Sequence, residues 1–186
     1  VIRDKLRHRD DIEEAYLDAI ENAREEIIIA NADFFPGIGF RRALVAAAAR
    51  GVKVKLMLQG RVEYRWLHHA TRALYGSLLA GGVEIIEYHK SFMHAKVAVI
   101  DGDWATVGSS NIDPFSFMLS REANIIVRDA RFSAQLRHSL LAAIHDGAVP
   151  VDLSEWKQRP LLERLMAWLA YGSARFILGT LGYPQK

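Results

Sequence analysis

The chain has 186 residues, of which 51% are hydrophobic and 25% charged, as expected for one globular domain with or without an appendage. The absence of cysteine excludes disulfides and thiolate metal sites. The formal net charge of +2 is too small to indicate a polyanionic partner by itself. The sequence contains no uninterrupted apolar run of about 18 residues, so it does not indicate a transmembrane helix. The charged N-terminus lacks a signal-peptide core.

The first half of the chain alternates predicted helices and strands. A helix begins at Asp10-Asp11, where apolar residues take up helical spacing. Short apolar runs predict strands over 26–31, 52–58 and 83–88, and helices over 40–50 and 62–79 separate them. Gly51 is predicted to cap the C-terminus of the helix over 40–50. This alternation favours an α/β fold with parallel strand pairs covered by helices.

The alternation of helices and strands ends in the second half of the chain. Strands are predicted there over 92–100, 104–108 and 122–128, without room for helices between them. Asp101-Gly102-Asp103 is predicted to form a tight hairpin turn. This part of the sheet should therefore be antiparallel, which makes the whole sheet mixed. A further helix is predicted over 130–143.

The composition changes again after Pro150, which predicts a main domain over 1–150 and a helical appendage over 151–186. The appendage carries an apolar stripe at helical spacing, formed by Leu161, Leu162, Leu165, Met166, Leu169, Phe176 and Ile177. One interpretation is a helix that packs this stripe on the core. The other is an interfacial membrane helix with Arg159, Arg164 and Arg175 directed toward lipid headgroups.

The segment 93–111 concentrates residues that carry chemistry. Because alternate residues of a strand share a face, His94 and Lys96 point the same way, with Ala98 and Ile100. Burying two ionisable groups side by side is costly unless something compensates for it. A phosphate group would do so, since Lys supplies a point charge and His a nitrogen that titrates near neutral pH.

The second arm of the hairpin ends in small and amide residues. Gly108 and Ser109 would let backbone amides approach an anion, and Asn111 offers a neutral amide donor. A carboxylate at Glu122 could accept a hydrogen bond from one ring nitrogen of His94 and leave the other nitrogen free to react. Asp101 has the wrong strand parity to join His94, so we expect it to hold the hairpin.

Together these residues form the pattern H-x-K-x4-D-x6-G-S-x-N, with a chance frequency on the order of one in ten million per start position. The pattern resembles the signature of the phospholipase D superfamily and is complete here. His94, Lys96, Asp101, Gly108, Ser109 and Asn111 stand at its positions, and Glu122 fits the downstream acid. The segments ANADFFPG, RGVKVKLMLQG and GGVEIIEYHKSFMHAKVAVIDGDWATVGSSNIDPFSF resemble the C-terminal half of bacterial cardiolipin synthases.

The resemblance covers about residues 1–147 and implies an α-β-α sandwich with two such motifs facing each other. One histidine would attack the phosphodiester and form a phosphohistidine, while the other would protonate the leaving alcohol. By analogy His94 takes the acid/base role, and Lys96 and Asn111 hold phosphate oxygens. The resemblance further implies a phospholipid substrate such as phosphatidylglycerol, no metal or other cofactor, and a peripheral location at the cytoplasmic side of the bacterial inner membrane.

The chain departs from this pattern in having one H-x-K motif. We expect the second motif to come from a missing N-terminal half or from a homodimer mate. Two alternatives stay open: a phospholipase D or homodimeric nuclease with the same chemistry, and a half that binds lipid or phosphate without turnover. The nearly neutral charge and the Leu-rich tail disfavour nucleic acid as a partner. The adjacent His68 and His69 are not at the spacing expected of a helical metal pair.

Overall fold

The computed structural model describes residues 2–3, 11–61, 65–113 and 122–180. Its strands are β1 (Ile2–Arg3), β2 (Glu26–Asn31), β3 (Lys53–Gln59), β4 (Glu84–Tyr88), β5 (Lys96–Ile100), β6 (Trp104–Gly108), β7 (Glu122–Arg128) and β8 (Ala148–Pro150). Its helices are α1 (Asp11–Asn22), α2 (Ile38–Ala49), α3 (Arg65–Ala80), α4 (Ala130–Gly147), α5 (Leu153–Lys157) and α6 (Leu161–Thr180).

The strands form one eight-stranded sheet in the order β1-β7-β6-β5-β2-β3-β4-β8. The pairs β2–β3 and β3–β4 are parallel, because α2 and α3 carry the chain back across the sheet between them. The pairs β2–β5, β5–β6 and β6–β7 are antiparallel. The predicted mixed sheet is therefore confirmed.

Helices cover both faces of the sheet. On one face, α1, α2, α3 and α6 enclose the larger core, to which β5 contributes Ala98 and Ile100. On the other face, Leu140 of α4 packs in a smaller core with Val99, and Val97 packs against it. The alternation predicted for β5 is thus confirmed, and the layers form the expected α-β-α sandwich.

Three features differ from the sequence predictions. The strand predicted over 92–100 begins only at Lys96, so His94 lies in the segment that leads into β5. The helix predicted over 130–143 extends to Gly147 and is followed directly by β8, an edge strand that pairs with β4 and was not predicted. The helix predicted over 62–79 begins at Arg65 and ends at Ala80, and residues 62–64 lie outside the described residues.

The C-terminal helix α6 packs on α3, but with a different face from the one expected. Its inner face consists of the buried residues Ala167, Ala170, Ala174 and Leu178. The apolar stripe faces outward, with Leu165 and Leu169 at 55% and 59% exposure and Phe176 at 73%. The helix therefore packs on the core, as one of the two interpretations expected, but the apolar stripe does not make that contact. Small side chains make the contact because they let two helix backbones approach closely.

The division of the chain at residue 150 stays a prediction. The inner face of α6 belongs to the same core as α1, α2 and α3, so the tail packs on the main domain. Among the described helices, none combines the length and the hydropathy that a membrane crossing requires.

Candidate active site

The two ionisable residues of the motif form a pair at the N-terminal end of β5. His94 is exposed and Lys96 is only 6% exposed. The ring Nε2 of His94 lies 3.1 Å from Nζ of Lys96. Because an ammonium group has donors only, Nε2 is the acceptor, and the proton of a neutral His94 ring is then on Nδ1.

Asn31 at the end of β2 is the register partner of Lys96. It is fully buried, and its side-chain oxygen accepts a hydrogen bond from the backbone N–H of Ile112 at 3.2 Å. Within the part of the chain that the structure describes, its Nδ2 has no hydrogen-bond partner. An unsatisfied buried donor costs about 1–3 kcal/mol, so a donor left in this state beside Lys96 suits an anionic oxygen. The sequence analysis did not identify Asn31 as a candidate site residue. The only sign of such a role in the sequence is that an amide residue ends an otherwise apolar strand.

Asn111, at the end of the motif, is joined to the loop that follows β2. Its Nδ2 donates to the carboxylate of Asp33 at 3.0 Å. The backbone supports this contact, because the N–H of Phe35 donates to the carbonyl of Ile112 at 2.7 Å. Asp33 therefore orients the Asn111 amide, a role for which the sequence provided no pairing signal across 78 residues.

Gly108 leaves space for the side chain of Asn124 on the neighbouring strand β7. A Cβ at this position would lie 2.1 Å from Oδ1 of Asn124, its register partner on β7. The same Oδ1 accepts from the N–H of Ser110 at 3.3 Å, and Asn124 Nδ2 donates to Thr106 Oγ1 at 3.2 Å. The absence of a side chain at Gly108 thus accommodates Asn124, which the sequence analysis overlooked.

Ser109 continues the ladder between β6 and β7. Its N–H donates to the carbonyl of Ala123, and its hydroxyl accepts from the N–H of Ala123, both at 3.1 Å. The side chain is exposed. Its hydroxyl thus has a structural partner, and the substrate-binding role of Gly108 and Ser109 stays a prediction.

Glu122 is the first residue of β7 and pairs with Arg3 of β1. It lies two residues before Asn124, so both side chains point to one face of the sheet. That face also carries Lys96, because the pairing of Val97 with Val107 brings Gly108 level with Lys96. Among the described residues no hydrogen bond joins Glu122 to His94, so its orienting role stays a prediction.

Asp101 lies at the far end of β5, five residues from Lys96, or about 17 Å along the strand. Its carboxylate accepts hydrogen bonds from the backbone N–H groups of Arg24, Glu25 and Glu26 at 2.7, 2.8 and 3.0 Å. These bonds fasten the hairpin turn to the start of β2. The third motif residue thus secures the sheet that positions the other two.

Residues 16–143 match the family described as cardiolipin synthase, PLD-like domain. Cardiolipin synthase B of Escherichia coli K12 is 43% identical over 183 residues, which cover 98% of this chain and 44% of that protein. The cardiolipin synthase of Geobacillus thermodenitrificans is 33% identical over 155 residues, covering 83% of this chain and 31% of that protein. The chain thus spans less than half the length of these relatives.

Two solved structures share the fold. Nuc from Salmonella typhimurium, a phospholipase D family member, has a TM-score of 0.65 at 22% identity and aligns with 75% of this chain and 90% of its own. The phosphatidylserine synthase of Haemophilus influenzae has a TM-score of 0.70 at 11% identity and aligns with 90% of this chain and 44% of its own. At these identities the likeness concerns the fold alone.

Proposed function

This chain belongs to the family of cardiolipin synthase, PLD-like domains, and on that premise we propose that it forms one half of a phosphatidyltransferase active site producing cardiolipin. The single observation that carries the proposal is the 43% identity to cardiolipin synthase B over 98% of the chain. The contact between His94 and Lys96 supplies the chemistry, since it places a reactive nitrogen beside a cation able to hold a phosphate oxygen.

The proposed reaction joins two molecules of phosphatidylglycerol in two steps. A histidine nitrogen attacks the phosphorus of the first molecule, so that a P–N bond forms and the bond to the glycerol oxygen breaks. The second histidine gives its proton to the departing glycerol. It then removes the proton from a hydroxyl group of the second phosphatidylglycerol, whose oxygen attacks the phosphorus as the P–N bond breaks. The products are one cardiolipin and one glycerol.

In this scheme His94 is the general acid and base, and Lys96 and Asn111 hold the phosphate oxygens. Glu122 would accept a hydrogen bond from the proton on Nδ1 of His94. This agrees with the tautomer that the Lys96 contact requires, since Nε2 is then the reactive nitrogen. Lys96, with the buried amide of Asn31 beside it, would offset the charge that builds up on the phosphate in the transition state.

The second histidine must come from elsewhere, because the sequence contains one H-x-K motif. The match to 44% of the length of cardiolipin synthase B supports a second half within a longer protein. The other candidate for that partner is a second copy of this chain. The substrate, a phospholipid, would be reached from the membrane surface, and we propose a peripheral location at the cytoplasmic side of the inner membrane.

The experiment incubates the purified protein that contains both halves with phosphatidylglycerol vesicles and quantifies the products by mass spectrometry. We expect equal amounts of cardiolipin and glycerol. Phosphatidic acid as the sole lipid product would identify a phospholipase D instead. Cleavage of DNA without lipid turnover would identify a nuclease, and no turnover of either substrate would leave a binding half; each result would overturn the proposal.

A further inference from the structure

A second concave surface lies outside the motif, between α3 and the C-terminal helices. This groove has a volume of about 370 Å³. Four helices each contribute one cation to its lining, namely Arg41 of α2, Arg72 of α3, Lys157 of α5 and Arg164 of α6. The aromatic residues Trp156, Trp168 and Tyr171 line it as well.

The groove retains an excess of positive charge. Arg72 donates three hydrogen bonds to the carboxylate of Glu87, two at 3.0 Å and one at 3.2 Å. In contrast, none of the described carboxylates forms an ion pair with Arg41, Lys157 or Arg164. A concave surface with several unneutralised cations attracts an anion more strongly than the net charge of the chain suggests.

Two of these cations differ in their contacts and exposure. Arg41 is fixed, because its guanidinium donates to the hydroxyl of Tyr171 at 3.2 Å and to the carbonyl of Gly37 at 3.4 Å. Arg164 is exposed on the first turn of α6. The groove therefore combines a preformed cationic floor with an exposed cation at its rim.

The groove adjoins an apolar surface of α6. Leu165, Leu169 and Phe176 lie about half a turn around α6 from the buried Ala167, so they form its outermost face. Between this face and the groove lies Trp168, which lines the groove and is 59% exposed. Tryptophan favours the boundary between headgroups and acyl chains. An apolar face beside a cationic groove is complementary to an amphiphile with a negatively charged head.

We infer that α6 lies in the surface of an anionic bilayer and that the groove binds the phosphate headgroup of an anionic phospholipid. Leu165, Leu169 and Phe176 enter the acyl region, while Lys157 and Arg164 meet the phosphate from the side of the groove. This lipid site is separate from the His94–Lys96 pair, since no residue of the motif lines the groove. It holds the protein at the membrane whether or not transfer takes place.

The experiment measures flotation of the full protein with phosphatidylcholine vesicles that contain or lack phosphatidylglycerol. It is done in the His94→Asn background, so that failure of the proposed chemistry cannot affect the result. We expect Lys157→Gln/Arg164→Gln to weaken binding to the anionic vesicles about thirtyfold, since each cation near such a surface contributes about fivefold. A matched control, Lys53→Gln/Arg131→Gln, removes two exposed cations elsewhere and should bind like the parent protein.

A second pair of variants tests the apolar face. Leu165→Glu/Leu169→Glu should abolish vesicle binding, whereas Ile125→Glu, at an exposed position of β7, should leave it intact. All five exchanged positions in α5, α6 and β7 are exposed, so we expect unchanged circular dichroism and melting temperature.

Three results would overturn the inference. The first is vesicle binding that neither double variant weakens. The second is a change of oligomeric state in Leu165→Glu/Leu169→Glu with vesicle binding intact, because α6 would then face protein. The third is saturable binding of inorganic phosphate that depends on Arg164 without any binding of vesicles, which would identify a site for free phosphate.

Discussion

Nε2 of His94 lies 3.1 Å from Nζ of Lys96. In the proposed reaction, the nitrogen that would transfer the proton is thus engaged by the cation that would hold the phosphate. A phosphate oxygen that accepts from Lys96 would release the lone pair of Nε2. Substrate binding and activation of the histidine are then coupled through one contact. Lys96 is the buried member of this pair, and it lies beside Asn31, its buried register partner on β2.

His94→Asn should reduce the turnover of phosphatidylglycerol by at least a thousandfold, because it removes the nitrogen that transfers the proton. The fold should not change, since His94 is exposed. His138→Asn, at an exposed position of α4, is the matched control and should retain full turnover. Cardiolipin formation at the parental rate by His94→Asn would refute the assignment.

Lys96→Met should separate activity from stability. The side chain is 6% exposed, and methionine fills a similar volume without the cost of burying a charge. We therefore expect an equal or higher melting temperature together with a loss of turnover of about a hundredfold or more. A large loss of stability with unchanged turnover per folded molecule would show that Lys96 serves the fold alone.

Gly108→Ala should destabilise the protein by about 1–3 kcal/mol, because the new Cβ would overlap the side chain of Asn124 and lie 2.6 Å from the carbonyl oxygen of Ala123. The displacement of Asn124 would also break its hydrogen bond with the N–H of Ser110. In the double variant Gly108→Ala/Asn124→Ala we expect a smaller total loss than the sum of the single changes, measured by urea unfolding. Strict additivity would show that the two residues do not compete for one space.

Asp101→Asn should weaken the fold and spare the chemistry. An amide has one oxygen, so it cannot accept all three backbone hydrogen bonds that the carboxylate receives. We expect a loss of about 2 kcal/mol in the free energy of unfolding and near-parental turnover per folded molecule. Asp103→Asn, in the same turn and exposed, is the control and should change neither quantity.

His68 should make the stability depend on pH. Burial, followed by the charge of Arg72, lowers the pKa of His68 to about 4. The unfolded chain binds this proton near pH 6.5 and the folded protein does not, so stability falls as pH decreases from about 6.5 to about 4. The contribution is about 1–2 kcal/mol, since the ring is partly exposed and solvent screens its charge. Urea unfolding of His68→Gln at pH 7 and pH 4.5 should show a smaller difference than the parent chain; an equal difference would contradict this origin.

Local patterns in the sequence determined much of the site. The period of two in β5 placed Ala98 and Ile100 on one side and Val97 and Val99 on the other, as the two cores confirm. His94 precedes the strand and lies beside Lys96, as the contact between their side chains shows. The same parity separated Asp101 from His94 and Lys96. These predictions succeeded because strand alternation and the spacing of the motif are properties of neighbouring residues, which the chain carries wherever it folds.

The tertiary structure alone decided which distant residues complete the site. Asn31, Asp33 and Asn124 meet the motif only through strand pairing and loop contacts, and no local period records those partners. The orientation of α6 was decided in the same way. Its leucines predicted the buried face, but close packing on α3 selected the small residues and left the leucines outside. Helix packing depends on the shapes of both surfaces, whereas hydrophobic periodicity describes only one of them.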